Sequence, residues 1–183
     1  MDFDHGDAVY GIGDIAFADY QCALQHEIAR LPSSLDFEAA ATVALPGLDA
    51  LQLLRDRARL SAGEDLLITG GRGGVSRFAV QIGRYLGARI TVACSASHMS
   101  SYRILGADVV EFESAYDATY DVILQLGRSV PSDRYVEQLV PGGRLVVAGD
   151  VPVLRSGADL TTLAALITAG VVVPPASTPP EYT

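Results

Sequence analysis

The stretch Gly71-Arg72-Gly73-Gly74-Val75-Ser76 combines residue types and spacing that suit phosphate chemistry. It follows a continuous apolar run, Leu66-Leu-Ile-Thr, and opens a segment with apolar residues at helical spacing (Val75, Phe78, Ala79, Ile82 and Leu86). A glycine turn between a strand and a helix lets backbone amides approach a pyrophosphate at the positive end of the helix. In the Gly-x-Gly-x-x-Gly form of such a turn, the last glycine lets helix and strand pack closely; Ser76 stands in that place here. Gly71, Arg72, Gly73, Gly74 and Val75 are thus the candidate phosphate cradle.

The other end of a dinucleotide would be read further along. NAD-type sites place an acidic residue about twenty positions on to bind the ribose 2′-hydroxyl. Between Asp65 and Asp108 this sequence has no carboxylate, while Arg72, Arg77, Arg84, Arg89 and Arg103 all fall in that window. In a chain of net charge −9, so one-sided a stretch points to an anionic ligand. Ser95 and His98, with Ser97 between them, stand after the second strand where they could meet a 2′-phosphate, so NADP is expected over NAD.

Composition narrows the remaining chemistry. The acidic balance argues against a nucleic-acid partner, which needs a net basic face. All 13 basic residues are arginine, which removes lysine Schiff bases and the P-loop lysine. Cys22 and Cys94 lie far apart, and no Cys-x-x-Cys pair suggests a metal centre, so no metal is expected. Met1-Asp-Phe-Asp-His5 lacks the pattern of a signal peptide, and no run of about 18 apolar residues occurs, so a cytoplasmic location without a membrane partner is expected.

The elements that must position these residues alternate along the chain. Two short strands are expected within Ala8–Gly13 and Ala16–Tyr20, then a helix from Asp36 that Pro46-Gly47 interrupts and Leu48–Leu60 resumes. Beyond Leu66 the pattern gives strands at Ile90–Ala93, Val109–Phe112, Tyr120–Leu126, Gly143–Ala148 and Val171–Val173. Helices are expected at Val75–Leu86, His98–Leu105, Asp133–Leu139 and Leu160–Ala169. Apolar strands alternating with helices imply an α/β fold with a parallel sheet covered on both faces. The proline-rich stretch 176–183 reads as a loose tail.

Several stretches resemble the zinc-independent quinone and enoyl reductases of the medium-chain dehydrogenase/reductase superfamily, especially polyketide-synthase enoyl-reductase domains. They are Gly6–Gly11, Ala16–Tyr20, Leu31–Ala40, Leu45–Leu51, the glycine turn with Phe78-Ala-Val-Gln81, Leu105–Asp108 and Pro141–Leu145. The resemblance implies a Rossmann-type doubly wound sheet over 46–175, preceded over 1–45 by a partial β segment of a GroES-like substrate domain. The family's opening segment has no counterpart here, and the chain stops where the family would complete its substrate domain. Where the family has a threonine near the nicotinamide, this sequence has Asp49, and Asp49 with Gly149 would flank that ring.

Three functions follow as expectations. The first is the NADP-binding part of an enoyl or quinone reductase acting on a small molecule in polyketide-type metabolism. The second is a cofactor-independent cyclase or other non-redox step on a polyketide-like substrate, with Asp49, Arg72, Tyr10, Tyr20 and His26 as candidate acids, bases or orienting groups. The third is a non-catalytic scaffold. A homodimer through the Val171–Val173 sheet edge, or contact with another polyketide-pathway protein, is compatible with each.

Overall fold

A computed structural model describes residues 3–15, 18–70, 73–127 and 131–175. The chain divides into two compact units, Met1–Leu48 with Leu154–Thr183, and Asp49–Val153.

The second unit is a five-stranded parallel sheet in the order β5-β4-β3-β6-β7. Its strands are β3 (Asp65–Thr69), β4 (Arg89–Ala93), β5 (Asp108–Val110), β6 (Tyr120–Gln125) and β7 (Leu139–Val147). Leu66, Leu67 and Ile68 are consecutive and all fully buried, so both faces of β3 are covered, as a central parallel strand requires. The helices are α2 (Gly74–Tyr85), α3 (Met99–Ile104) and α4 (Asp133–Val136), and the turn chemistry and periodicity of the sequence placed α2 within a residue at either end. Expected as a seven-residue helix, the segment from Asp133 makes only one α-helical turn. β7 then starts at Leu139 and carries Pro141-Gly142 past a register irregularity opposite Tyr120 and Val122. Proline is tolerated there because β7 is an edge strand.

The first unit pairs β1 (Val9–Gly11) with β2 (Ile28–Arg30) antiparallel. Of the expected strand at Ala16–Tyr20, Ala16 and Phe17 lie outside the described residues and the rest forms no strand. The helix α1 (Phe37–Gln52) starts in this unit and runs unbroken through Pro46-Gly47, then continues as a π-helical turn over Leu53–Arg57. The expected break is absent because Gly47 serves packing: a Cβ there would lie 3.0 Å from the Leu163 side chain of α5 (Gly157–Thr168). Phe37–Arg57 is long and apolar enough (mean hydropathy 1.2) to cross a membrane, but 56% of its most apolar 18-residue window is buried inside the protein, as in a core helix.

The helix α5 groups with the first unit rather than with the nucleotide-binding sheet expected to extend over 46–175. Gly157 sits where a Cβ would meet the Ile28 carbonyl oxygen at 2.2 Å, and the Tyr10 hydroxyl donates to the Leu160 carbonyl at 2.6 Å. Ser156 caps α5 by accepting from the Asp159 amide. Val171–Val173 forms no strand; the amides of Val171 and Val172 donate to the Leu166 carbonyl and close the end of α5 after Gly170 (φ +70°). Stretch 176–183, expected as a tail, lies outside the described residues.

Candidate functional site

Three strands of the second unit end at one place. Gly70 follows β3, Leu126 follows β6 and Ala148 follows β7, and together with Asp49, Gly73, Val75 and Ser76 they line a cavity of about 320 Å³. The strand order turns around at β3, which has β4 on one side and β6 on the other. Open α/β sheets bind ligands in the crevice beyond the carboxyl ends at such a switch point.

The cavity owes its floor to glycine. Gly70 has φ +78°, and a Cβ there would stand 2.4 Å from the Gly127 backbone nitrogen, so only glycine lets the ends of β3 and β6 approach this closely. At Gly73, which precedes α2 with extended backbone (φ −127°, ψ −173°), no atom lies within 4 Å of a would-be Cβ. The 12-residue helix α2 starts without a side-chain cap and without an acidic residue in its first turn. Its leading amides are therefore donors without side-chain partners, at the positive end of a helix dipole. Gly71 and Arg72 of the expected cradle lie outside the described residues; Gly73 precedes α2, and Gly74 and Val75 open it.

Ser76 replaces the packing glycine without disturbing the turn. It is fully buried, its hydroxyl donates to the Gly73 carbonyl at 2.8 Å, and its oxygen lies 2.6 Å from the Tyr102 hydroxyl. With its own proton directed at Gly73, Ser76 accepts from Tyr102, and the turn is tied to α3. Burial pushes the Tyr102 phenol up and keeps it protonated. Tyr102 escaped the sequence reading because its partner is 26 residues away. Gly70, Leu126 and Ala148 escaped it too, although Gly70 directly follows an apolar strand run and Leu126 and Ala148 close the expected strands, so the rule that strand ends line such crevices could have found them.

Asp49 is the one charged side chain among the seven that line the cavity. It makes no hydrogen bond or ion pair with another described residue. Burial raises its carboxyl pKa, and the positive field of Arg57 opposes that shift. Gly149 makes the turn after β7 at φ +82°, while its neighbour Ala148 supplies the wall.

At the carboxyl end of β4 the Ser95 and Ser97 hydroxyls each lie 3.0 Å from His98 Nδ1, and 3.0 Å from one another. Two hydroxyls and an imidazole are thus gathered at one point, groups that can each donate a hydrogen bond.

The arginine window needs correction. Arg89 is paired with Asp65 through two contacts of 2.6 Å, at the amino ends of β3 and β4, opposite the cavity. Arg84 donates to the Leu105 carbonyl at 2.7 Å and closes the end of α3. Neither is available to a ligand phosphate. Among the described residues the buried Arg77 Nε has no hydrogen-bond partner, while Arg103 lies 3.9 Å from the Met99 sulfur and its charge acts on Cys94.

The candidate acid Tyr10 is buried, and its proton is committed to Leu160; burial pushes its pKa up to about 12. These are the marks of a packing tyrosine. Tyr20 and His26 are exposed, Cys22 is exposed and Cys94 buried, both free. Among the described residues no group of three or more His, Cys, Asp or Glu could hold a metal ion.

No family model matches the chain. Over 161 residues, 81% of the chain, it is 33% identical to the pikromycin polyketide synthase component PikAII of Streptomyces venezuelae, of which it covers 4%. It is 28% identical over 162 residues, 80% of the chain, to the quinone oxidoreductase of Homo sapiens, covering 49% of it. Among solved structures it superimposes on the CurK enoyl reductase with a TM-score of 0.60 and 25% identity, over 74% of this chain and 44% of that one. The chain thus spans about half the length of the quinone oxidoreductases it matches and a few per cent of the polyketide synthases. Its homologues are polyketide-synthase enoyl-reductase regions and quinone oxidoreductases, and its structural neighbours are enoyl reductases and alcohol dehydrogenases of the medium-chain dehydrogenase/reductase superfamily, whose fold the parallel sheet shares.

Proposed function

We propose that this chain is the NADP-binding part of an enoyl- or quinone-reductase-type oxidoreductase of polyketide metabolism. The observation that carries the proposal is the cavity at the switch point, into which Gly73 opens beside the uncapped start of α2. The donor set fits a dinucleotide: free helix amides for the pyrophosphate, open space where a side chain would block it, and a polar cluster beyond β4 for the adenosine end. A nicotinamide, when bound, supplies the hydride for reducing an activated alkene or a quinone.

The protein's own contribution is position and field. Gly70 and Gly127 hold the strand ends close enough to floor the cavity, and Leu126 and Ala148 give it apolar walls that exclude water. Ser95, Ser97 and His98 favour the phosphorylated cofactor over its 2′-hydroxyl counterpart, since no carboxylate stands nearby in sequence to repel the phosphate. The homologues do not favour the cyclase or scaffold alternatives.

Titration of the purified chain with NADPH and NADH, followed by cofactor fluorescence, tests the reading. Saturable binding that prefers NADPH, with the preference lost on replacing Ser95 and His98 by alanine, supports it. Absence of binding at millimolar cofactor sinks it. A cytoplasmic homodimer belongs to the same proposal. Val171–Val173 would have to become ordered as a strand between two copies, and sedimentation at rising concentration checks that.

A further inference from the structure

The proposed cofactor exists in two charge states. The oxidised nicotinamide ring is a cation and the reduced ring is neutral, while the rest of the molecule is the same. A site that holds a fixed charge near the ring therefore binds the two forms unequally, and the sign of that charge decides which form is favoured.

The described cavity wall carries one charge. Six of its seven lining residues are glycine, valine, serine, leucine or alanine, and the Ser76 hydroxyl is engaged by Gly73 and Tyr102. Asp49 lines the same space, partly buried and without a hydrogen-bonding or ion-pairing partner among the described residues. The side of the cavity formed by Leu126 and Ala148 belongs to β6 and β7, on the opposite side of the switch point from the Ser95–His98 cluster beyond β4. A dinucleotide lying across the switch point with its adenosine on the β4 side puts its other ring on the β6–β7 side. The carboxylate then shares the low-dielectric cleft with the ring.

We infer that Asp49 makes this cleft discriminate between the redox states of its cofactor, binding the oxidised, cationic nicotinamide in preference to the reduced, neutral one. The inference rests on the cofactor reading above. It adds a consequence that reading does not contain: the side chain opposes release of the spent cofactor and weakens capture of the hydride donor. A neutral side chain at position 49 would leave the two forms nearly equal.

The test is calorimetric titration of the whole chain with NADP⁺ and with NADPH, and of Asp49→Asn, Asp49→Thr and Asp49→Glu. For the unaltered chain the oxidised form is expected to bind about tenfold more tightly, the scale of one charge pair in a partly screened cleft. Asp49→Asn and Asp49→Thr should bring the ratio close to one by weakening NADP⁺ and strengthening NADPH. Asp49→Glu, which keeps the charge, should retain the preference. A ratio that Asp49→Asn leaves unmoved overturns the inference while leaving the cofactor reading intact. Failure of the unaltered chain to bind either form overturns both. Removing an unpaired, partly buried carboxylate favours folding, so loss of fold is not expected of Asp49→Asn; a cooperative thermal transition confirms it, and Asp49→Glu reads the same charge in the event that it fails.

Discussion

The two ends of the parallel sheet treat charge in opposite ways. At the amino end Asp65 pairs with Arg89, the Asp65 amide donates to Asp121, and Arg144 grips Glu64 through contacts of 2.7 and 2.8 Å while reaching the carbonyls of Ala58 and Arg59. Every charged group named there has a partner inside the fold. At the carboxyl end, among the described residues, Asp49 has none, α2 starts without a side-chain cap, and Ser95, Ser97 and His98 bond to one another. The amino end is held by charges paired within the fold; at the carboxyl end, among the described residues, Asp49 has no such pairing.

That contrast can be broken from either end, and the largest effect should come from the glycines that flank β3. Gly63 and Gly70 both have positive φ, but a Cβ at Gly63 meets nothing within 4 Å, whereas at Gly70 it meets the Gly127 backbone. Gly70→Ala should cost about 3 kcal/mol or more and abolish cofactor binding, because left-handed strain adds to a backbone clash. Gly63→Ala should cost about 1 kcal/mol, from strain alone. Urea unfolding of both variants checks the difference, and equal costs would contradict the close approach of β3 and β6.

Next in size is Arg144→Met, which should cost about 1–3 kcal/mol by leaving Glu64 and two carbonyls without their donor. Arg144 holds the Glu64 pKa below its usual value of 4.5. A depressed folded pKa means that this stabilisation is present above pH 4.5 and is lost as pH falls through the lowered value. Arg144→Met should flatten that acid limb in melts taken across the range. Asp49 titrates with the opposite sign. Its folded pKa is raised above 3.8, so the stability linked to its protonated form is complete below 3.8 and is lost as pH rises through the folded value. The advantage of Asp49→Asn over the unaltered chain should therefore grow as pH rises from 3.8 to the folded value and hold constant above it; an advantage independent of pH would show that the carboxyl is not desolvated. The smallest effect belongs to Arg89→Gln. Its side chain is 64% exposed, and cross-strand pairs of that kind contribute well under about 1 kcal/mol.

Much of the sheet was legible because buried parallel strands are written as unbroken apolar runs closed by glycine, as Leu66–Gly70 is. The places of Gly73, Asp49 and the Ser95–His98 cluster in the fold were legible for a related reason: each sits near the end of a strand or in a stretch that resembles the family. What stayed hidden depends on distant partners. Ile28–Arg30 is too short to announce a strand and becomes one only against Val9–Gly11. Arg89 looked like a ligand-binding cation until the register set it opposite Asp65, and Pro46-Gly47 looked like a break until Leu163 was seen to fill the space beside Gly47. Val171–Val173 has the β-branched run of a strand, yet the carbonyl of Leu166 captures its amides first.

The bond between Ser76 and Tyr102 also constrains which neighbouring sequences this protein can visit. A glycine at position 76 would take from the buried Tyr102 phenol its 2.6 Å bond to the serine oxygen, and removing the phenol would leave that oxygen with one acceptor site unfilled. Positions 76 and 102 are therefore coupled: the cost of a glycine at 76 depends on which residue stands at 102, and a change at one site alters which changes the other tolerates.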